Sequence, residues 1–192
     1  MYAAAPDPYC YPGTTVLKNR RNIRKQKALD RFEAVMVMWR GKKPMPRGRL
    51  SVSHFKAIHH HFFQDVYPWA GRFRTVRISK GGSMFCYPEH IAPTIRQLFA
   101  ELQRENYFTA LDSRAFSQKS AHFLAELNAI HPFREGNGRA QLAFLTVLAV
   151  RAGHPLHLDR LDTAEFFSAV IASFGGDEAP LAQLISDLTA ER

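Results

Sequence analysis

The sequence predicts an all-α helical bundle packed around one buried central helix, with a single β-hairpin set into it. Three observations carry that expectation. Apolar residues recur at spacings of three and four along most of the chain. The segment from Arg139 to Ala152 is apolar on nearly every side, as a helix surrounded by others must be. Residues 72–87 alone break the helical pattern, with two extended pieces on either side of a glycine-rich turn. The chain has 192 residues, of which 46% are hydrophobic and 22% charged. That is the make-up of one domain large enough to bury a core, and it excludes collagen, extended disorder and a disulfide scaffold.

The elements follow in order. Residues 1–25 read as an N-terminal arm, with Tyr9 to Pro12 extended over the core. Leu29, Phe32, Val35, Met36 and Trp39 form the first amphipathic helix, which Gly41 stops. Phe55, Ile58 and Phe62 follow the cap candidates Ser51 and Ser53. Ile91, Ile95, Leu98 and Leu102 form the next, and Phe116, Phe123 and Leu127 another. After the central helix and its stop at Gly153 come Phe166, Val170 and Phe174, closed by Gly175-Gly176, and then Leu181, Leu184 and Leu188. Between the helices, RFRTVRI and SMFCY flank Ser79-Lys80-Gly81-Gly82 and predict the hairpin over 72–87.

Charge narrows the range of partners. The net charge is +9, and from Lys18 to Arg49 the chain carries 12 basic residues against Asp30 and Glu33. This segment is either a solvated face or a docking face for an acidic partner. Aromatic residues are not interleaved with these charges in the way single-strand binding requires, which disfavours direct nucleic-acid contact. The longest apolar run, Leu142 to Val150 with Thr146 inside it, falls short of the roughly 20 residues of a membrane span. Cys10 and Cys86 have no metal spacing, and MYAAAPDPYC lacks the features of a secretory signal, so a cytoplasmic location is expected. His59, His60 and His61 project about 100° apart on a helix and cannot share a cation. They are expected to be ordinary surface or core histidines.

The chemistry concentrates in residues 131–139, His-Pro-Phe-Arg-Glu-Gly-Asn-Gly-Arg. Pro132 disfavours helical geometry at His131 and ends the preceding helix there. Gly136 and Gly138 let the backbone turn and approach a ligand closely, while the first N–H groups of the next helix make an anion cradle. Arg139 adds a planar donor fork suited to phosphate. A carboxylate at Glu135 is compatible with bound phosphate if magnesium lies between them. An imidazole, with an ordinary pKa of about 6.5, can accept a proton from a hydroxyl. Together these parts point to transfer of a phosphate-linked group to a hydroxyl.

This stretch resembles the signature HPFx(D/E)GNGRxxR of the Fic family. YPGTTVLKN near the start and FFQDVYPWAGRFRTVRISKGG before the loop extend the resemblance over almost the whole chain. It implies a stand-alone Fic domain over 1–192 that transfers AMP from ATP, with Mg2+, to a protein hydroxyl. His131 would be the base, Glu135 the metal ligand and Phe133 the structural anchor. Gly136, Asn137, Gly138 and Arg139 would bind the phosphates, together with Lys80 and Gly81. Asn106 and Tyr107 would lie near the base of the nucleotide. The flap residues Ile78, Lys80, Met84 and Phe85 would hold the target segment by strand pairing.

Leu142 stands where the family has its last arginine, and the inhibitory motif (S/T)xxxE(G/N) does not occur. The resemblance therefore implies a separate antitoxin chain, with a type II topoisomerase subunit or a host protein such as a small GTPase as target, and possible translocation into a host cell. Transfer of another phosphate-linked group, or a catalytically weak nucleotide-binding module, are the alternatives.

Overall fold

The computed structural model describes residues 7–80 and 83–189, with the backbone alone at Lys80 and Ser83. Among these residues are seven helices: α1 (Gln26–Gly41), α2 (Val52–Phe63), α3 (Pro88–Arg104), α4 (Ser113–Ile130), α5 (Asn137–Ala152), α6 (Thr163–Phe174) and α7 (Ala179–Thr189). Strands β1 (Ser79–Lys80) and β2 (Ser83–Met84) pair antiparallel, Ser79 opposite Met84. Helices α2, α4 and α6 start at side-chain caps. Ser51 accepts from the His54 N–H at 3.3 Å, Asp112 from Ala115 at 2.8 Å and Asp162 from Ala164 at 2.7 Å. Each cap satisfies a donor that the helix itself cannot. α5 stops at Gly153, whose φ of 86° is left-handed.

The main core joins α2 to α7. Phe144 of α5 is its hub, with ring centroids 5.6 Å from Phe55, 5.2 Å from Phe99 and 5.8 Å from Phe123. Burying one such ring contributes ~1.5–3 kcal/mol, and Phe144→Ala would cost about 3–5 kcal/mol including the cavity. A second core lies beneath the N-terminal arm, where Cys10, Tyr11, Val16 and Leu17 pack with Leu29 of α1 and with Phe63, Val66, Tyr67 and Trp69.

α5 is buried along a broad stripe, from Ala140 and Gln141 to Leu148 and Ala149, while Val150 faces outward. α4 shares the centre with it and packs against α3, α5, α6 and α7. Ser117, Ser120, Ala121 and Ala125 are buried on α4, and their small side chains permit that close approach.

The paired hairpin is much shorter than residues 72–87. The main-chain bonds that would lengthen its ladder go to the end of α4 instead. Arg74 donates its N–H to the Pro132 carbonyl at 2.9 Å, and Cys86 donates to Ala129 at 3.0 Å. The flap is thereby rooted in the helix that precedes the 131–139 loop.

Candidate active site

α4 ends at Ile130, and His131 caps it in a left-handed conformation, φ 45° and ψ 61°, with its N–H still bonded to Leu127 at 3.1 Å. A residue with a Cβ holds that conformation only against steric cost. The His131 ring stacks on Phe85 at 3.9 Å between centroids, and Phe85 meets the edge of Phe174 at 5.5 Å.

Behind His131 the loop is fastened at three points. Phe133 is fully buried against Phe55, Phe73 and His59, its ring 3.8 Å from the imidazole of His59. Asn137 closes the loop on itself. Its Oδ1 accepts the Phe133 N–H at 2.9 Å, and its Nδ2 donates to the Phe133 carbonyl at 2.8 Å. His59 holds the third point. Its Nδ1 accepts from the Gly71 N–H at 2.9 Å, which puts the proton on Nε2, and Nε2 donates to the Glu135 carbonyl at 2.9 Å. Burial pushes the His59 imidazole down to about 3, so the ring that braces the loop stays neutral.

Gly136 then turns the chain with φ 82°, and a Cβ there would lie 2.3 Å from the buried ring of Phe63. Only glycine satisfies both constraints. The first turn of α5 follows, and the N–H groups at its N-terminus have no helical carbonyl to meet.

Charge gathers on the same spot. Nη2 of Arg139 lies 2.7 Å from Oε1 of Glu33 on α1 and 3.4 Å from Oε1 of Glu135, and the guanidinium covers Phe63 at 4.7 Å. The second Glu33 oxygen accepts the hydroxyl of Tyr67, whose phenol is pushed up by burial and by Glu33. Glu135 Oε1 also accepts the Gly136 N–H at 2.8 Å. From the other side Arg134 donates to Asp7 of the arm at 2.9 Å. The site is thus assembled from the arm, α1, α2, the α4–α5 loop and the flap root.

Several residues expected at the nucleotide lie elsewhere or act differently. Asn106 and Tyr107 occupy a left-handed turn between α3 and α4, where Arg151 covers the Tyr107 ring at 4.2 Å. Arg151 is at the far end of α5, twelve residues or about 18 Å along the helix from Arg139, so the structure does not bring Asn106 and Tyr107 together with the 131–139 loop. The Asn137 side chain is 2% exposed and committed at both ends to Phe133, which leaves only its backbone N–H for a phosphate. Phe85 is buried against His131 rather than presented to a target, whereas Met84 is exposed. Gly81 and the Lys80 side chain lie outside the described residues. Ile78 contributes its carbonyl to the Phe85 N–H at 3.3 Å. Leu142 is half-buried and packs against the main core.

Four neighbours of the loop were not singled out in the sequence as site residues. Glu33, Tyr67 and His59 brace the loop, and Phe167 of α6 is exposed beside it, 3.5 Å from where a Cβ of Gly138 would stand. Its place as one of two carboxylates within a basic segment is the one available signal for Glu33.

The fold and loop define a helical domain built around an anion cradle at a helix junction, and residues 49–149 match the sequence pattern of the Fic/DOC family. A probable protein adenylyltransferase, y4lH of Sinorhizobium fredii, is 51% identical over 94% of this chain and 95% of its own. The protein adenylyltransferase VbhT of Bartonella schoenbuchensis is 37% identical over 96% of this chain, which spans 39% of VbhT. The crystal structure of BepC, a VirB-translocated effector of Bartonella tribocorum with bound AMPPNP, superposes with a TM-score of 0.84 at 25% identity, covering 96% of this chain and 97% of that one. The chain belongs to the Fic/DOC family.

Proposed function

We infer that this protein is a protein adenylyltransferase, moving AMP from ATP to a hydroxyl side chain of a target protein. The single observation that carries the reading is the junction itself. The six-residue connection between α4 and α5 starts with a histidine that caps α4, carries the Glu135 carboxylate and ends at the N-terminus of α5. The relatives named as adenylyltransferases support it.

In the reaction, His131 takes the proton from the target hydroxyl as its oxygen attacks the α-phosphorus. The bond from that phosphorus to the α,β-bridging oxygen breaks, and pyrophosphate leaves with that oxygen. The first-turn N–H groups of α5 and the Arg139 guanidinium hold the phosphate oxygens and stabilise charge on the leaving group. The exposed Phe167 ring offers an apolar surface beside the cradle for the nucleoside.

A magnesium ion fits the chain's own groups. Among the described residues no cluster of three His, Cys, Asp or Glu could hold a metal alone, so Glu135 would share the ion with phosphate oxygens, which is how magnesium is commonly bound. When bound, it would neutralise phosphate charge and polarise the reacting phosphorus.

The β2 edge, with Met84 exposed, is proposed to pair with the target strand. A separate antitoxin chain is the proposed inhibitor, since the chain has no inhibitory motif of its own. Among the described residues no helix is long and apolar enough to cross a membrane, and action in the cytoplasm of the producing cell or of a host is proposed.

The test uses ATP labelled separately at the α- and γ-positions, incubated with the protein in cell lysate and with a purified type II topoisomerase subunit or small GTPase. Protein-bound α-label without γ-label supports AMP transfer. γ-Label on protein would mean phosphorylation, and label from neither position would overturn the reading.

A further inference from the structure

Arg74 is 2% exposed and is the largest fully buried side chain among the described residues. Buried guanidinium groups ordinarily sit against carboxylates. This one is held by main-chain carbonyls. Nε donates to His131 at 2.8 Å, Nη1 to Val76 at 2.6 Å, and Nη2 to Cys86 at 2.5 Å and to Ile130 at 3.2 Å. Its own N–H bonds Pro132.

These acceptors belong to two units that chemistry must keep in register. Ile130 and His131 supply the last carbonyls of α4, which lack helical donors and form the negative end of its dipole. Val76 and Cys86 lie on the two arms of the flap. We infer that Arg74 is a positioning residue that fixes the left-handed backbone of His131 and both arms of the flap as one unit.

The argument is geometric. A guanidinium carries five donors in a rigid plane and can reach acceptors on three sides at once, whereas an ammonium offers three donors at one point. Lysine at 74 could satisfy the α4 end or the flap, not both. Without the clamp, His131 precedes a proline and relaxes toward the extended geometry such residues prefer, which swings its imidazole away from the Phe85 ring. The phosphate cradle depends on other contacts, those of Asn137 with Phe133 and of His59 with Glu135, and stays in place. Arg74 therefore acts on proton removal and target alignment, not on nucleotide affinity.

The consequence for turnover rests on His131 being the base, but its placement by Arg74 can be read without turnover. In labelled protein, the Phe85 ring shifts the His131 ring resonances, which are assigned by their loss in His131→Ala. In Arg74→Lys these resonances should move toward unstacked values while ATP binding by calorimetry stays within a few-fold. Transfer of α-label should fall by about two orders of magnitude, the scale of a misplaced general base. In Arg74→Ala, millimolar guanidinium should restore both the resonances and part of the rate.

Unchanged His131 resonances in a folded Arg74→Lys protein would overturn the inference. So would a parallel loss of ATP affinity, or loss of cooperative unfolding in both variants. If His131→Ala itself still transfers label, the reading of the base fails, and the resonance shift still decides the role of Arg74.

Discussion

Glu33 and Arg139 are 106 residues apart in sequence and 2.7 Å apart in space, so the residue proposed to face the phosphates arrives already paired with a carboxylate on α1. That carboxylate is mostly buried and also receives the Tyr67 hydroxyl. Two effects follow when its charge is removed. Arg139 loses a charge-assisted bond worth about 1.5–3 kcal/mol, and repulsion toward bound phosphate disappears. Glu33→Gln should therefore unfold at lower temperature without nucleotide and gain more stability from added AMPPNP than the wild type does. Thermal unfolding with and without the nucleotide measures both, and equal gains in the two proteins would show that Glu33 does not face the phosphate charge.

Gly136 and Gly153 both have left-handed φ, but only Gly136 is crowded by a ring. Alanine at 153 should cost about 1–2 kcal/mol, the conformational term alone. Alanine at 136 adds overpacking against Phe63, for a total of about 2–5 kcal/mol. Denaturant titration of the two variants tests the difference, and equal costs would mean that the Phe63 ring moves aside freely.

His59 makes stability depend on pH with a defined sign. In the folded protein its imidazole stays neutral down to about 3, while in the unfolded chain it takes up a proton below ~6.5. Its contribution is complete above that value and declines as pH falls from there toward 3, at up to ~1.4 kcal/mol per pH unit. His59→Gln should be less stable at neutral pH and should show a flatter decline across that window. Parallel curves for the two proteins would show that His59 is not the group responsible.

Leu142 lies three residues beyond Arg139 on α5 and is half-buried, so a long side chain can rest its stem on the core and carry its head outward. Leu142→Arg should tighten ATP by roughly one to two orders of magnitude, more than ADP, with the unfolding midpoint little changed. Calorimetry with both nucleotides checks the first point and thermal unfolding the second. A large drop in midpoint with no gain for ATP would make position 142 purely a core position.

The helices and the 131–139 loop were legible because each is written locally, in apolar spacing, caps and a contiguous string of chemically distinctive residues. What escaped depends on contacts across the fold. Arg72, Arg74 and Arg77 look alike in sequence, yet only Arg74 is buried, because the α4 terminus offers it carbonyls that no local pattern announces. RFRTVRI reads as a strand, but the Arg74 N–H leaves the hairpin for Pro132 and cross-strand pairing begins only at Ile78. Asn137 reads as a phosphate ligand until the distance to Phe133 is known. The weight of α4 in the core was muted because much of its buried face is serine and alanine, which carry little hydrophobic signal.

The ion pair of Asp7 with Arg134 joins positions separated by 127 residues, and the Tyr9 hydroxyl accepts the Thr75 N–H at 3.2 Å. Contacts of such span form late, because the intervening chain must first be ordered. During synthesis the arm emerges well before the loop it pairs with, so this part of the candidate site is among the last parts of the domain to be completed. A change at Asp7 is therefore felt at the 131–139 loop, 127 residues further along the chain.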